Sequence, residues 1–396
     1  MLDVGQRFES VFVSYFADES RSLIKMQTAT MKHENQENQS SGQHLSVQQK
    51  LYADKYKYYN HVFPFEDVFA WLVYNNHFDN TNMNCIKNRE FSFVLQNDMY
   101  NRYLSFQSSS EYKQAVLLKM PVKLDVGACY NKHPSLHASP NFVPVLRELV
   151  FDIDLSDYDD IRTSSSQAVI TQKCWRFMVT AINVLDLRLR DEFGFKHIFW
   201  VYSGRRGVHG WVCDTRALKL DDVARSAVVD YLSVVPSGIS ANKKVMQIMR
   251  DEFVNDTIQE KGQALLSNPT YFNKVLQFIP SAHGLRDNIR NAWLRAKDAT
   301  SRYKIMLAQF AELRSTIDHP MLRRVLKHLP DKIVSKCLYP RLDVNVSTRR
   351  SHLLKAPFAL HPQTNQVCVP LDLQSLDTFN VQDVPTCSSV VMELQT

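Results

Sequence analysis

The spacing of apolar and polar positions changes several times along the chain, and each change predicts an element. LVFDIDL (149–155) alternates, with Leu149, Phe151, Ile153 and Leu155 on one face and Asp152 and Asp154 on the other. A period of two predicts a half-buried strand. QKCWRFMVTAINVLDLRLRDEF then sets Trp175, Met178, Ile182, Leu185 and Leu189 at helical spacing. HIFWVYS and VHGWVCD predict two strands around the turn GRRG. Upstream, YKYYNHVFPFEDVFAWLVYNN gathers Tyr58, Tyr59, Val62, Phe63, Phe65, Phe69 and Trp71 into a dense helical cluster, of the kind that fills a core. From Phe91 to Asp214 the pattern is that of mixed α/β structure.

Beyond residue 217 the texture becomes helical. DDVARSAVVDYLSVV places Val223, Ala227, Val228, Tyr231 and Val235 on one face, with Asp221 or Asp222 as the cap. WLRAKDATSRYKIMLAQFAEL and HPMLRRVLKHL are also helical, and Pro320 sits where a helix can start. Alternation returns at YPRLDVNVS and predicts a strand with Leu342, Val344 and Val346 on one face and Asp343, Asn345 and Ser347 on the other. The expected organisation is α/β (α+β), a mixed-sheet core over 51–216 and 336–396 with an inserted all-helical subdomain over 217–335. Residues 27–50 are rich in Gln, Asn and Ser and too poor in apolar anchors to offset ordering entropy, so 1–50 is expected to be a disordered arm. Patterning is faint after Leu373.

At 396 residues, 44% of them apolar, the chain can bury a sizeable core and more than one domain. The formal charge of +6 permits a nucleic-acid partner without demanding one. No apolar run is long enough to cross a bilayer, and MLDVGQRFESVFVSYFADESRS lacks the features of a signal peptide. The seven cysteines include no CxxC pair, which points to reduced, mostly buried thiols in the cytosol or nucleus.

The chemistry concentrates at three places. Asp152 and Asp154, at i and i+2 of one strand, point two carboxylates the same way. Like charges so placed call for a cation, and hard oxygen ligands suit Mg²⁺ or Mn²⁺. Asp343, on a second polar face, could supply the third carboxylate that a two-metal site needs. SGRRGVHG (203–210) combines turn-forming glycines with Ser203, Arg205, Arg206 and His209, donors suited to phosphate oxygens. Lys355 and His361, in HLLKAPFALHP, could complete a triphosphate clamp. These residues leave three readings open: a nucleotidyltransferase, a Mn²⁺-dependent Asp-x-Asp glycosyltransferase, or a catalytically silent nucleic-acid-binding subunit. The glycosyltransferase has no need of the third Asp or of the GRRG turn.

From about Leu51 to Leu373 the chain resembles the small, catalytic subunit of eukaryotic DNA primase, in the archaeo-eukaryotic primase superfamily. The resemblance is carried by YYNHVFPFEDVFAWL, NREFSFVLQNDMYNRY, ELVFDIDLSDYDDIR, FGFKHIFWVYSGRRGVHGWVCD and YPRLDVNVS…HLLKAPFALHPQTNQVCVPLDL. It implies a primase catalytic core in which Asp152, Asp154 and Asp343 hold the catalytic metals and Glu90 belongs to the active site, with Tyr100 and Arg102 nearby. It implies that Ser203, Arg205, Arg206, His209, His352, Lys355 and His361 bind the incoming triphosphate, and that Lys123 and Asp125 lie near the nucleotide sugar. The implied activity is synthesis of short RNA primers from ribonucleoside triphosphates on a single-stranded DNA template. The implied partners are the large primase subunit and the DNA polymerase alpha complex, with no membrane, and the implied location is nuclear.

The sequence departs from that family where a structural zinc is expected. The four positions read Ser164, Ser165, Thr171 and Cys174, and hydroxyls do not replace thiolates as zinc ligands. TRRS (348–351) is a second departure, adding Arg349 and Arg350 between the third Asp and HLLK. Elemental analysis of the purified chain is expected to find no tightly held zinc, whereas one zinc per chain would contradict this reading.

Overall fold

The computed structural model describes residues 46–73, 85–96, 98–162, 172–233, 266 and 269–394. The chain divides into two compact units, one of residues 1–152, 195–227 and 343–396, the other of 153–194 and 228–342. The sequence boundaries at 216 and 336 therefore differ from those of the structure, in which 153–194 joins the helical unit. Residues 1–45 of the expected arm lie outside the described residues. Order begins earlier than Leu51, because Ser46 accepts from Gln49 N and the Gln49 side chain accepts from Ser46 N, a capping box that starts a helix at Val47.

The first unit opens with helices α1 (Val47–His61) and α2 (Phe65–Val73), separated at Pro64. Tyr58, Tyr59, Phe63, Phe65, Phe69 and Trp71 are buried as expected. Phe63 and Phe65 pack against Tyr112 of α3 (Ser109–Lys119), whose ring also meets Phe91 and Phe106. One sheet has the order β2-β1-β3-β4, from β1 (Arg89–Val94), β2 (Tyr100–Leu104), β3 (Lys123–Tyr130) and β4 (Pro144–Leu146), with the short strand Leu354–Lys355 also paired to β3. The second sheet begins with β5 (Leu149–Asp154), which pairs with β7 (Gly207–Val212), then β6 (Ile198–Tyr202) and the short strand Pro370–Leu371. In chain order the two short strands are β8 and β9. The β1–β2, β1–β3, β3–β4, β3–β8, β6–β7 and β6–β9 pairings are all antiparallel.

The second unit is helical. In α4 (Gln172–Asp191) the predicted stripe of Trp175, Met178, Ile182, Leu185 and Leu189 is buried throughout. After the short α5 (Thr215–Leu218), α6 (Asp222–Leu232) runs from the first unit into the second. The helices α7 (Pro269–Leu276), α8 (Leu285–Arg295), α9 (Ala299–Thr316) and α10 (Pro320–Leu338) follow. Asp298 accepts from Ser301 N and starts α9, splitting a segment that reads as one helical stretch. No described helix is long and apolar enough to cross a membrane.

Three sequence expectations are corrected, and one segment gains an element. The buried face of α6 is Arg225, Val228, Val229 and Leu232, while Val223 is 78% exposed and Tyr231 faces solvent. The helix turns because Arg225 is buried and donates to the carbonyls of Leu220, Glu148, Arg147 and Ala217. Residues 344–348 form a helical turn, α11 (Val344–Thr348), rather than a strand, because the Asp343 carboxylate accepts from Asn345 N at 3.0 Å and caps it. Cys85 and Cys129 are joined as a disulfide rather than held as thiols; their Cα atoms stand 5.8 Å apart, within bridging range. The faintly patterned C-terminus carries α12 (Cys387–Glu393), started by a Thr386–Ser389 capping box and tied to α1 by Ser388 Oγ donating to Asp54.

In the β6–β7 hairpin Trp200 lies opposite Gly210, and a Cβ on Gly210 would fall 2.7 Å from the Trp200 ring. Trp200 is buried. Gly210→Ala is expected to cost about 1–3 kcal/mol through overpacking, read as a lower urea midpoint at unchanged m-value.

Candidate active site

Within the first unit, backbone pairing and one turn bring the predicted residues together. The amide of Asp343 donates to the carbonyl of Asp152 at 3.0 Å, so two aspartates 191 positions apart in sequence (343 − 152) are neighbours. Asp343 is exposed, and the Asp152 side chain keeps 30% of its exposure. His209, on β7, has its Nε2 3.7 Å from Asp152 Oδ1, close but beyond hydrogen-bond length. Its Nδ1 is buried without a described partner. Burial, then the charges of Lys355 and His361, push the imidazole down to about 3, so it is neutral at physiological pH. The neutral ring can donate one N–H to an incoming oxygen.

The 203–207 turn is rigid. Ser203 N donates to Gly207 O at 2.9 Å, and Gly207 N donates to Ser203 Oγ at 3.0 Å. Gly204 has φ +85°, and a Cβ there would stand 2.7 Å from His361 Cβ, so only glycine fits. Thr364 Oγ1 donates to Gly204 O and ties the turn to 361–366, and Tyr202 OH donates to Arg205 O within the hairpin. Lys355 Nζ donates to Ser203 O at 3.0 Å, joining β8 to the turn. Burial pushes His361 down to about 3, helped by Lys355, Arg205, Lys123 and Arg206, and its Nδ1 accepts from Gln363 N. Two neutral imidazoles, His209 buried and His361 half-buried, beside four cations make a field suited to polyanionic oxygens.

Asp125 lies opposite Lys355 in the β3–β8 register. Burial raises its carboxyl to about 6, against the opposing pull of Lys355, Lys123, Arg102 and Arg147. His352 is lowered by burial, with Asp343 pulling the other way.

Glu90 is fully buried on β1. Its carboxylate accepts from Arg102 Nε at 2.8 Å, Arg102 Nη2 at 3.1 Å, Tyr103 N at 3.2 Å and Tyr130 OH at 3.0 Å. The β1–β2 register shifts between Phe91 and Phe93, where Arg102 and Tyr103 bulge, and Tyr103 adopts φ +60°. Glu90 thus holds that bulge and aims Arg102, which also donates to Ser351 O at 3.3 Å. Tyr100 is 57% exposed on β2.

Asp154 belongs to the second unit. It ends β5 on the same strand face as Asp152, by strand periodicity, and its Oδ1 accepts from the amide and hydroxyl of Ser156. Among the described residues no group of three or more His, Cys, Asp or Glu is arranged to hold a metal ion. Of the expected zinc positions, Ser164, Ser165 and Thr171 lie outside the described residues, and Cys174 is buried.

The sequence reading missed a buried charge cluster at the start of β5. Glu148 pairs with Arg89 at 3.0 Å and Arg147 at 2.6 Å, all three side chains at 0–1% exposure. With Arg225, this cluster fixes the start of β5. Arg225 at helical spacing from Val228, Val229 and Leu232 was the available signal, but it reads as a surface arginine.

Folding stability should report the Asp125 environment. A carboxyl raised from 3.8 to about 6 stabilises the fold below the unfolded value and loses that contribution as pH rises through 6. Asp125→Asn is therefore expected to gain on the parent by about 2 kcal/mol between pH 4 and pH 7.5 in urea denaturation. A difference that stays flat over that range would contradict the assignment.

Comparison with known proteins gives the family. The family model described as DNA primase small subunit matches residues 151–373. The chain is 36% identical to the DNA primase small subunit of Drosophila melanogaster, over 85% of this chain and 80% of that one. It is 37% identical to that of Schizosaccharomyces pombe, over 85% and 77%. Identity to the primase small subunit PriS of Archaeoglobus fulgidus is 28%, over 74% and 75%. Among solved structures, the polymerase domain of Mycobacterium tuberculosis ligase D in complex with DNA aligns over 87% of this chain and 88% of that one at 12% identity, with a TM-score of 0.39 that supports no closer comparison. The chain therefore belongs to the DNA primase small-subunit family of nucleotidyltransferases.

Proposed function

We propose that this protein synthesises short RNA primers on single-stranded DNA, joining ribonucleoside triphosphates by two-metal nucleotidyl transfer for DNA replication. The observation that carries the reading is the meeting of Asp152 and Asp343 beside a rigid turn rich in phosphate-binding groups. The donor set fits hard divalent cations: Asp152 and Asp154 share a strand face, and Asp343 is exposed beside Asp152. These three residues would hold Mg²⁺ or Mn²⁺. When bound, such ions supply Lewis acidity toward an attacking hydroxyl and a leaving pyrophosphate.

The chain's own residues would do the positioning. Arg205 and Arg206 bring charge to the triphosphate, and Lys355, held by Ser203 O, adds a fixed ammonium. His209 and His361, kept neutral, donate hydrogen bonds without adding buried charge. Asp125 and Lys123 stand toward the sugar. Arg102, aimed by Glu90, lies beside the 349–353 connector that follows α11. Catalysis of this kind is mostly alignment and electrostatics.

Opening synthesis needs two nucleotides and a template held at once, which is entropically demanding for a chain of modest basicity. The large primase subunit, within the DNA polymerase alpha complex, is the proposed partner, and the nucleus the proposed location. The altered zinc segment is proposed to hold no zinc.

Asp152→Asn keeps size and polarity and removes the charge. It is expected to lower primer synthesis on poly-dT by at least about 100-fold, while the thermal midpoint stays near that of the parent. Labelled ribonucleotide incorporation in the presence of the large subunit reads the first and calorimetry the second. Near-parent synthesis would defeat the proposal.

A further inference from the structure

We propose that Arg349, presented by a connector that Arg350 and Asp222 hold in place, contacts a backbone phosphate of the template–primer nucleic acid. The inference rests on the primase reading above and adds to it a nucleic-acid contact.

The connector, residues 349–353, leads from α11, which Asp343 caps, to β8, which carries Lys355. It is gripped from two directions. Arg350 Nε donates to Asp222 Oδ1 at 3.0 Å and Arg350 N to the same oxygen at 3.3 Å. Arg102 donates to Ser351 O. His352 N closes the turn onto Arg349 O at 3.1 Å. Asp222 opens α6, whose next turn is locked by Arg225 against the start of β5. A loop so held presents its outward cation at reduced entropic cost.

That cation is Arg349, exposed and without an ion-pair partner among the described residues. The cations of the site fall into two groups. Lys355, Arg205, Lys123 and Arg206 act on His361, at the phosphate-type turn. Arg147, Arg102 and Arg349 act on His352, together with Asp343; Arg147 is buried against Glu148, and Arg102 is held by Glu90. The first group has a task in holding the triphosphate. Nucleotidyl transfer needs a second polyanion at the same carboxylates, the strand that supplies the attacking hydroxyl and its template. Arg349 is the exposed member of the group left for it.

The test is binding of a fluorescein-labelled primed DNA oligonucleotide to the full chain, followed by anisotropy between about 30 and 200 mM salt. Loss of one phosphate contact removes about 0.7–0.9 from the slope of log affinity against log salt. Arg349→Gln is expected to show that loss and a several-fold weaker affinity at low salt, with ribonucleotide affinity unchanged. Arg349→Lys should keep the slope. An Arg349→Gln slope equal to that of the parent would overturn the inference. This readout needs no turnover, so a parent that binds but makes no primer would fail the primase reading alone.

Discussion

The hydrogen bond from the Asp343 amide to the Asp152 carbonyl is the contact on which the functional reading turns. One backbone bond contributes only about 1 kcal/mol net, so it cannot hold two distant segments together by itself. Each side is fixed independently. On one side, β5 is paired into the second sheet and starts from residues locked by buried arginines. On the other, the Asp343 carboxylate caps α11, Val346 and Ser347 are buried, and the connector beyond is tied to α6 and to Arg102. The bond then sets register between two stiff pieces, and Asp343 keeps its carboxylate at the surface.

The buried arginines are a cost that the fold meets with geometry. Arg89 and Arg147 pair with the buried carboxylate of Glu148, and Arg225 donates to the Glu148 backbone carbonyl. Burial, and next the charge of Arg147, push Arg225 down to about 9. The guanidiniums compensate by donating to carbonyls of Gly127, Val126, Leu220, Arg147, Ala217 and Glu148. Breaking such a network strands a buried charge, so it permits little movement. Its position behind β5 places that rigidity where the carboxylates need it. Glu90 shows the same economy, spending its whole carboxylate on aiming Arg102 and Tyr103 rather than facing the site openly.

Much of this was legible in the sequence because it follows single-element periodicity. The β5 alternation, the α4 stripe and the β6–β7 hairpin each rest on local spacing that packing did not override. What was illegible depended on side chains acting against type. Alternation over 342–347 resembled a strand, but Asp343 bonding to the amide two residues on gave a capped turn. The face of α6 was misread because its most important core residue is an arginine. The Cys85–Cys129 pair is set by meeting in space and carries no local motif. The C-terminal helix is short, and its stability comes from capping and from docking on α1 rather than from a long apolar period.

The central claim is that Asp152 and Asp343 serve one centre, and a double-mutant cycle on nucleotide binding tests it most directly. Calorimetric titration of a ribonucleoside triphosphate with Mn²⁺ would be run on the parent, on Asp152→Ala, on Asp343→Ala and on the double variant. Residues sharing one ion-dependent site are predicted to be strongly non-additive, with the double variant binding no more weakly than the worse single one. Losses that simply add, with Mn²⁺ dependence kept in either single variant, would contradict the account.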